Sequence, residues 1–184
     1  GEWIAGAVLE DACPMREGYS AHDRPGCPDA DFDGWSDPEQ NWTAVDGADS
    51  FPNIPSQWRD TDGDGYGDNQ TEGAERIDDF IENPTQWRDT DGDGWGDNQA
   101  NDATQVDDFP LEPSQYLDTD YDGFGDNLSG FEGDSCPTFS GYSYSDRFGC
   151  LDSDADGYSD PEVNWAAHPE GFADALPFEP SQWY

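Results

Sequence analysis

Aspartate occupies positions 1, 3, 5 and 9 of a nine-residue window that occurs five times along this chain of 184 residues. The copies are DADFDGWSD from Asp29, DTDGDGYGD from Asp60, DTDGDGWGD from Asp89, DTDYDGFGD from Asp118 and DSDADGYSD from Asp152. All obey D-x-D-x-D-G-aromatic-[GS]-D. Two carboxylates about 4 Å apart repel by roughly 4 kcal/mol at an effective dielectric near 20, so four of them in one loop hold it open unless a cation is bound. A hard divalent cation reverses the sign. Ca²⁺ takes about six to eight oxygens from carboxylates, carbonyls and water, whereas Mg²⁺ keeps its waters and demands a tighter octahedron. Transition metals favour His or Cys, which the windows lack.

The expected ligands are therefore Asp29, Asp31, Asp33 and Asp37 in the first window and Asp60, Asp62, Asp64 and Asp68 in the second. Asp89, Asp91, Asp93 and Asp97 follow in the third, Asp118, Asp120, Asp122 and Asp126 in the fourth, and Asp152, Asp154, Asp156 and Asp160 in the fifth. Gly at position 6 permits the sharp turn. The backbone carbonyl of position 7, at Trp35, Tyr66, Trp95, Phe124 and Tyr158, is a further candidate donor, which leaves each aromatic side chain free to pack.

The windows are spaced by a second pattern, Asp-x-[Phe/Leu/Cys] usually followed by Pro, at Asp11, Asp49, Asp78, Asp107, Asp134 and Asp174. From Asp49, Asp78 and Asp107 the next window starts 11 residues on, and from Asp11 and Asp134 it starts 18 residues on. The distance back to the preceding window varies. The constant spacing assigns Asp49, Asp78, Asp107 and Asp134, as additional ligands, to the window that follows each of them. Between marker and window lies P-S-Q-W or a close variant, which ends on Trp58, Trp87, Tyr116 or Trp183 and gives each joint one aromatic to bury. Within the second repeat, Tyr66 and Trp58 are the expected apolar contacts.

Cys13 to Cys27 and Cys136 to Cys150 both fit C-P-x3-G-Y-S-x2-D-R-x-G-C. Of the three possible pairings the two local ones are favoured, because each cassette then carries its own staple. Zinc is the competing use of these cysteines, and it fails on ligands, since His22 has Ser145 as its counterpart. Disulfides place the chain in an oxidising compartment, extracellular or at a cell surface.

Composition bounds the rest. The formal net charge is −38, every basic residue is Arg, and 33% of residues are hydrophobic, so a large continuous core is not expected. By charge and hydrophobicity alone the chain reads as disordered. Its 14% aromatic content argues instead for a chain that folds when cations neutralise it. The acidic field repels nucleic acid and anionic membranes, and no apolar run reaches the roughly 18 residues of a membrane span. Asn41, Asn69 and Asn127 lie in N-x-[ST] sequons and are candidate glycan acceptors.

Position 12 of the windows is Gln40, Thr71, Ala100, Ser129 and Val163, never the bidentate Glu of an EF-hand. The pattern resembles thrombospondin type 3 repeats, in which D-x-D-x-D-G-x-x-D is followed by D-x-C-P. Asp11-Ala-Cys-Pro and Asp134-Ser-Cys-Pro match that closing motif as written. The resemblance runs from about residue 11 to 184 and implies calcium-wrapped, non-enzymatic extracellular modules.

The fold expected is an irregular, calcium-stabilised tandem repeat array with little regular secondary structure beyond short strands and single helical turns, plus small disulfide-stapled cassettes. Its expected parts are an N-terminal segment 1–10 that serves as an assembly contact, a cassette with loop 1 at 11–48, repeats at 49–77, 78–106 and 107–133, a second cassette with loop 5 at 134–173, and a terminal half repeat at 174–184. No catalytic constellation is found, since His22 and His168 have no repeated partners. The function expected is structural: a stalk, filament or surface-layer element rigidified by about five or more Ca²⁺ ions and assembling head to tail. The competing readings are an adhesin or carbohydrate-recognition module built on exposed aromatics, and a spacer of a larger secreted enzyme.

Overall fold

The structure is a computed structural model that describes residues 10–184; the expected N-terminal assembly contact falls almost wholly outside the described residues. Among the described residues, regular secondary structure amounts to one short 3-10 turn, Ala44–Asp46, and a handful of isolated β-bridges. The irregular fold expected from Gly and Pro spacing is what forms. No helix among the described residues is long and apolar enough to cross a membrane. The chain divides into two compact units, Gly1–Arg88 and Asp89–Tyr184.

The buried interior is polar. Apart from the cysteines, the buried apolar residues are Ala48, Phe51 and Ala173, while the largest fully buried side chains are Gln57, Gln86 and Gln115, followed by the marker aspartates. Burying an unpaired amide costs about 1 to 3 kcal/mol, and Gln57 and Gln115 each meet that cost with three hydrogen bonds. Gln57 Nε2 donates to the carbonyls of Asn69 (3.0 Å) and Glu75 (2.8 Å), and its Oε1 accepts Asn69 N–H (3.0 Å). Gln115 does the same with Asn127 and Phe131. The joints at Gln57 and Gln115 thus lie beneath the exit loops of the windows that follow them. The aromatic of P-S-Q-W drew attention in the sequence, and the Gln beside it, present in all four joints, went unread.

This arrangement explains the Gly/Ser alternation at window position 8. A Cβ on Gly67 or Gly125 would overlap the side chain of Gln57 or Gln115. Windows 1 and 5 follow cassettes and not P-S-Q-W joints, so the space is open to a side chain and position 8 is Ser36 or Ser159. There a cassette aspartate replaces the glutamine. Asp23 accepts from Ser36 N–H (2.9 Å), Ser36 Oγ and Trp42 Nε1 (3.2 Å). Asp146 repeats the set with Ser159 N–H, Ser159 Oγ and Trp165 Nε1.

The disulfides are the two local ones, Cys13–Cys27 and Cys136–Cys150, and no free cysteine remains. The aromatics pair between successive repeats. Trp35 stacks on Trp58 (6.1 Å between centroids), Tyr66 on Trp87 (5.2 Å), Trp95 on Tyr116 (4.5 Å) and Tyr158 on Trp183 (4.3 Å). Trp58 and Tyr66, the apolar contacts expected in the second repeat, thus each stack on a ring of a neighbouring repeat. Each joint aromatic covers the window before it, because the marker that precedes the joint is tied to that same window. Phe124 departs from the series and meets Phe148 of the second cassette at a tilt.

Candidate metal centre

Within each window the first aspartate builds the loop. Asp60 accepts Gly63 N–H on Oδ1 (2.7 Å) and Gly65 N–H on Oδ2 (3.0 Å), and Asp29, Asp89, Asp118 and Asp152 bond the same two positions. Bringing both N–H groups to one carboxylate turns positions 4 and 6 into the left-handed region. Position 6 has φ between 92° and 98° in the five windows. In windows 3 and 4 a Cβ there would meet nothing within 4 Å, so glycine is required by the backbone angle and not by crowding. Position 4 is left-handed even where it is Phe32, Tyr121 or Ala155. Non-glycine residues at such angles are uncommon and strained, and the spacing of the aspartates gave no sign of it.

Position 9 closes the loop. Asp68 accepts Thr61 N–H (2.9 Å) and Thr61 Oγ1 (2.6 Å), and Asp97, Asp126 and Asp160 repeat this with Thr90, Thr119 and Ser153. Asp37 accepts Ala30 N–H alone, since Ala30 has no hydroxyl. Position 5 accepts the N–H of position 7, at 2.8 Å for Trp35, Tyr66 and Trp95. The expected carbonyl donors, on Trp35, Tyr66, Trp95, Phe124 and Tyr158, therefore sit on the turn that position 5 holds.

The result is a tight trio of carboxylates at positions 1, 3 and 5. One oxygen from each lies within 4.8 Å of the others in all five windows: Asp29/Asp31/Asp33, Asp60/Asp62/Asp64, Asp89/Asp91/Asp93, Asp118/Asp120/Asp122 and Asp152/Asp154/Asp156. Oδ2 of Asp31, Asp33, Asp62, Asp64, Asp91, Asp93 and Asp154, and both oxygens of Asp120, are buried without a hydrogen-bond partner.

The marker aspartates belong to the preceding window, which corrects the expectation that they serve the following one. Their N–H groups bond the carbonyl of position 8 in the window before: Asp49 to Ser36 (2.9 Å), Asp78 to Gly67 (3.0 Å), Asp107 to Gly96 (2.9 Å), Asp134 to Gly125 (2.8 Å) and Asp174 to Ser159 (2.9 Å). Each is at most 1% exposed. One oxygen caps the N–H two residues on, at 2.7 Å from Phe51, Phe80, Phe109, Cys136 or Leu176. Since only the backbone of that residue is used, Phe, Leu and Cys interchange there. The other oxygen of Asp49, Asp107, Asp134 and Asp174 is buried without a partner.

The constant 11-residue spacing has a different cause from ligand sharing. The residue after the marker bonds the carbonyl of the joint aromatic, Ser50 to Trp58 (3.0 Å), Asp79 to Trp87 (3.2 Å) and Asp108 to Tyr116 (3.1 Å), across two consecutive tight turns. The exit loop varies in length because only its base is pinned, by the bond between marker and position 8. Asp174 was missed as a site residue in the sequence, although its D-A-L-P carries the marker pattern, because no window follows it.

Burial pushes the Asp49 carboxyl up to about 7 and those of Asp78, Asp107 and Asp134 up to about 6. Repulsion from positions 3, 5 and 9 of the preceding window adds to the rise, against the lowering effect of the capped N–H. Asp174 is raised for the same reasons. Burial also raises Asp33, Asp64, Asp93 and Asp156. These are oxygens gathered away from water, and only Asp64, near Arg76, and Asp33, near His22, have a basic side chain acting against the rise.

Of the remaining candidates, His22 packs against Trp35 (5.8 Å) and stands outside the carboxylate trio. Asn69 and Asn127 use Nδ2 to bond Ser56 and Ser114 carbonyls, each at 2.8 Å, while Asn41 is exposed. No protein-family model and no curated protein matches the chain.

Proposed function

We propose that each window together with the marker after it is one calcium site, and that the chain is a structural, extracellular repeat protein stiffened by about five such ions. The observation that carries this reading is the marker aspartate. A carboxylate at most 1% exposed, with a partnerless oxygen and electrostatically coupled to the trio of the preceding window, recurs with the same backbone bonds at Asp49, Asp107, Asp134 and Asp174. A buried, uncompensated carboxylate costs several kcal/mol, and a divalent cation held by the trio and reached by the marker oxygen would offset that cost. Oxygen-only donors favour Ca²⁺ over softer metals, and carboxylates spread over two segments suit its larger, more flexible shell over that of Mg²⁺.

Calcium is then a structural cross-link. It joins the window to the marker, and in windows 1, 2, 3 and 5 the marker leads through a double turn to a joint whose aromatic stacks back on position 7 of the same window. Head-to-tail assembly into a stalk, filament or surface layer follows from this reading as a proposal. The supporting features are the irregular fold, the polar interior and the two disulfides, which fit an oxidising environment. Isothermal titration of the chelator-treated protein tests the reading. About five Ca²⁺ ions per chain are expected with a gain in compaction by small-angle scattering. Saturation with one or two ions, or no uptake, would refute it.

A further inference from the structure

The two cassettes can be superposed in register, with 123 residues separating each pair of equivalents. Asp11 caps Cys13 N–H at 2.8 Å as Asp134 caps Cys136 N–H at 2.7 Å. Ala12 bonds Pro25 as Ser135 bonds Phe148, and Arg16 bonds Cys13 as Phe139 bonds Cys136. Gly26 lies against the Asp11 carboxylate as Gly149 lies against that of Asp134, both with left-handed backbone.

What differs is the occupant. In the second cassette the surface made by Asp134 and Gly141 holds window 4. Asp134 N–H bonds Gly125 at 2.8 Å, Gly141 N–H donates to Asp122 Oδ2 at 2.9 Å, and Asp134 is 1% exposed. In the first cassette the equivalent surface is an open groove of about 580 Å³ whose lining includes Asp11, Arg16, Glu17, Gly18, Tyr19 and Gly26. Asp11 is exposed there, whereas the other five markers are buried. Residues 1–10 contain no acidic window, and each of the five windows already holds its own marker.

We infer that the groove at Asp11 is a docking site for a cation-loaded D-x-D-x-D-G window from outside residues 1–184, with Asp11 completing that window's ion shell and Gly18 N–H bonding its position-5 carboxylate. The inference rests on the calcium reading proposed above. It adds a sixth site, completed from outside this sequence, that uses the same chemistry as the five within it. The occupant is acidic, the groove carries Asp11 and Glu17, and Arg16 at its side is already paired with Glu39, so a shared divalent ion is what makes the contact attractive.

The test uses two full-length chains. The donor carries Asp11→Asn and has residues 118–133 appended after Tyr184, where Gln182-Trp183 stands in for the Gln115-Tyr116 that precedes that window; the acceptor is the unaltered chain. Asn keeps the oxygen that caps Cys13 N–H, so the cassette remains intact. In millimolar Ca²⁺, sedimentation of the mixture is expected to show a one-to-one complex. The complex should be lost in chelator and weakened at least about tenfold when the acceptor also carries Asp11→Asn. No complex between donor and acceptor, or one indifferent to Asp11→Asn in the acceptor, would overturn the inference. Failure of the calcium reading is separately visible, because the five resident windows of the acceptor would then take up no ion.

Discussion

Replacing Asp107 by Asn separates the two ways of assigning a marker to a window. The side chain is fully buried; Oδ1 accepts Phe109 N–H at 2.7 Å, a bond the Asn carbonyl retains, and only the partnerless Oδ2 changes chemistry. A divalent ion and a carboxylate about 4 Å apart attract by roughly 8 kcal/mol at an effective dielectric near 20. Dehydration of the ion and the retained carbonyl oxygen return more than half of that. The remainder is about 3 kcal/mol, the scale seen when one partner of a buried charge pair is removed, and corresponds to on the order of a hundredfold in Kd for one site. The affected site is window 3, since the charges acting on Asp107 are Asp93, Asp91 and Asp97. A double-mutant cycle read by native mass spectrometry at a calcium level between the two affinities decides the matter. Asp107→Asn and Asp93→Asn should each remove one ion, and combined they should still remove one. Asp107→Asn combined with Asp120→Asn should remove two. The reverse pattern, two ions lost with Asp93→Asn and one with Asp120→Asn, would refute the assignment to the preceding window.

Other expectations bear on the same scheme. In chelator the raised carboxyls of Asp49, Asp78, Asp107 and Asp134 bind protons more tightly folded than unfolded, so their contribution to stability is present at low pH and is lost as pH rises through about 6 to 7. Thermal unfolding of the ion-free protein should therefore occur at higher temperature at pH 5 than at pH 8, while the calcium-loaded protein shows the opposite order as protons displace ions. Gln57→Ala would orphan Asn69 N–H and two carbonyls and should destabilise the calcium-loaded protein by about 2 to 3 kcal/mol in urea unfolding; a loss below about 0.5 kcal/mol would mean that the buried amide is not needed. Replacing Cys136 and Cys150 by Ser should lower stability by about 3 kcal/mol for a loop of this size, measured in the same way, with calcium stoichiometry unchanged.

Much of the candidate site was legible in the sequence because its chemistry is written locally. Positions 1, 3, 5 and 9 of the window lie within nine residues, and the loop they build needs no distant partner. The local disulfides were legible for the same reason, since the two cassettes share one spacing. The assignment of the markers was not, because a constant spacing has two possible causes. The 11 residues between Asp49 and Asp60 are constant owing to the bonded turns Phe51 to Ile54 and Ile54 to Gln57 and the tie from Ser50 to Trp58. The tie from marker N–H to the position-8 carbonyl crosses an exit loop of variable length, where spacing carries no signal. Gln57 was overlooked because a lone Gln is usually a surface residue; its meaning appears only with Gly67 beneath it. Asp23 and Asp146 were visible as part of the cassette pattern, yet their partners Ser36 and Ser159 lie 13 residues away.

The central claim is that bound calcium, and not a hydrophobic core, holds these windows and markers together. The most direct measurement is a calcium titration of the chelator-treated chain, followed in parallel by native mass spectrometry and tryptophan fluorescence. The account predicts that compaction and fluorescence change together as about five ions bind, and that chelator reverses both. A chain equally compact without divalent ions, or one whose fluorescence is indifferent to them, would contradict it.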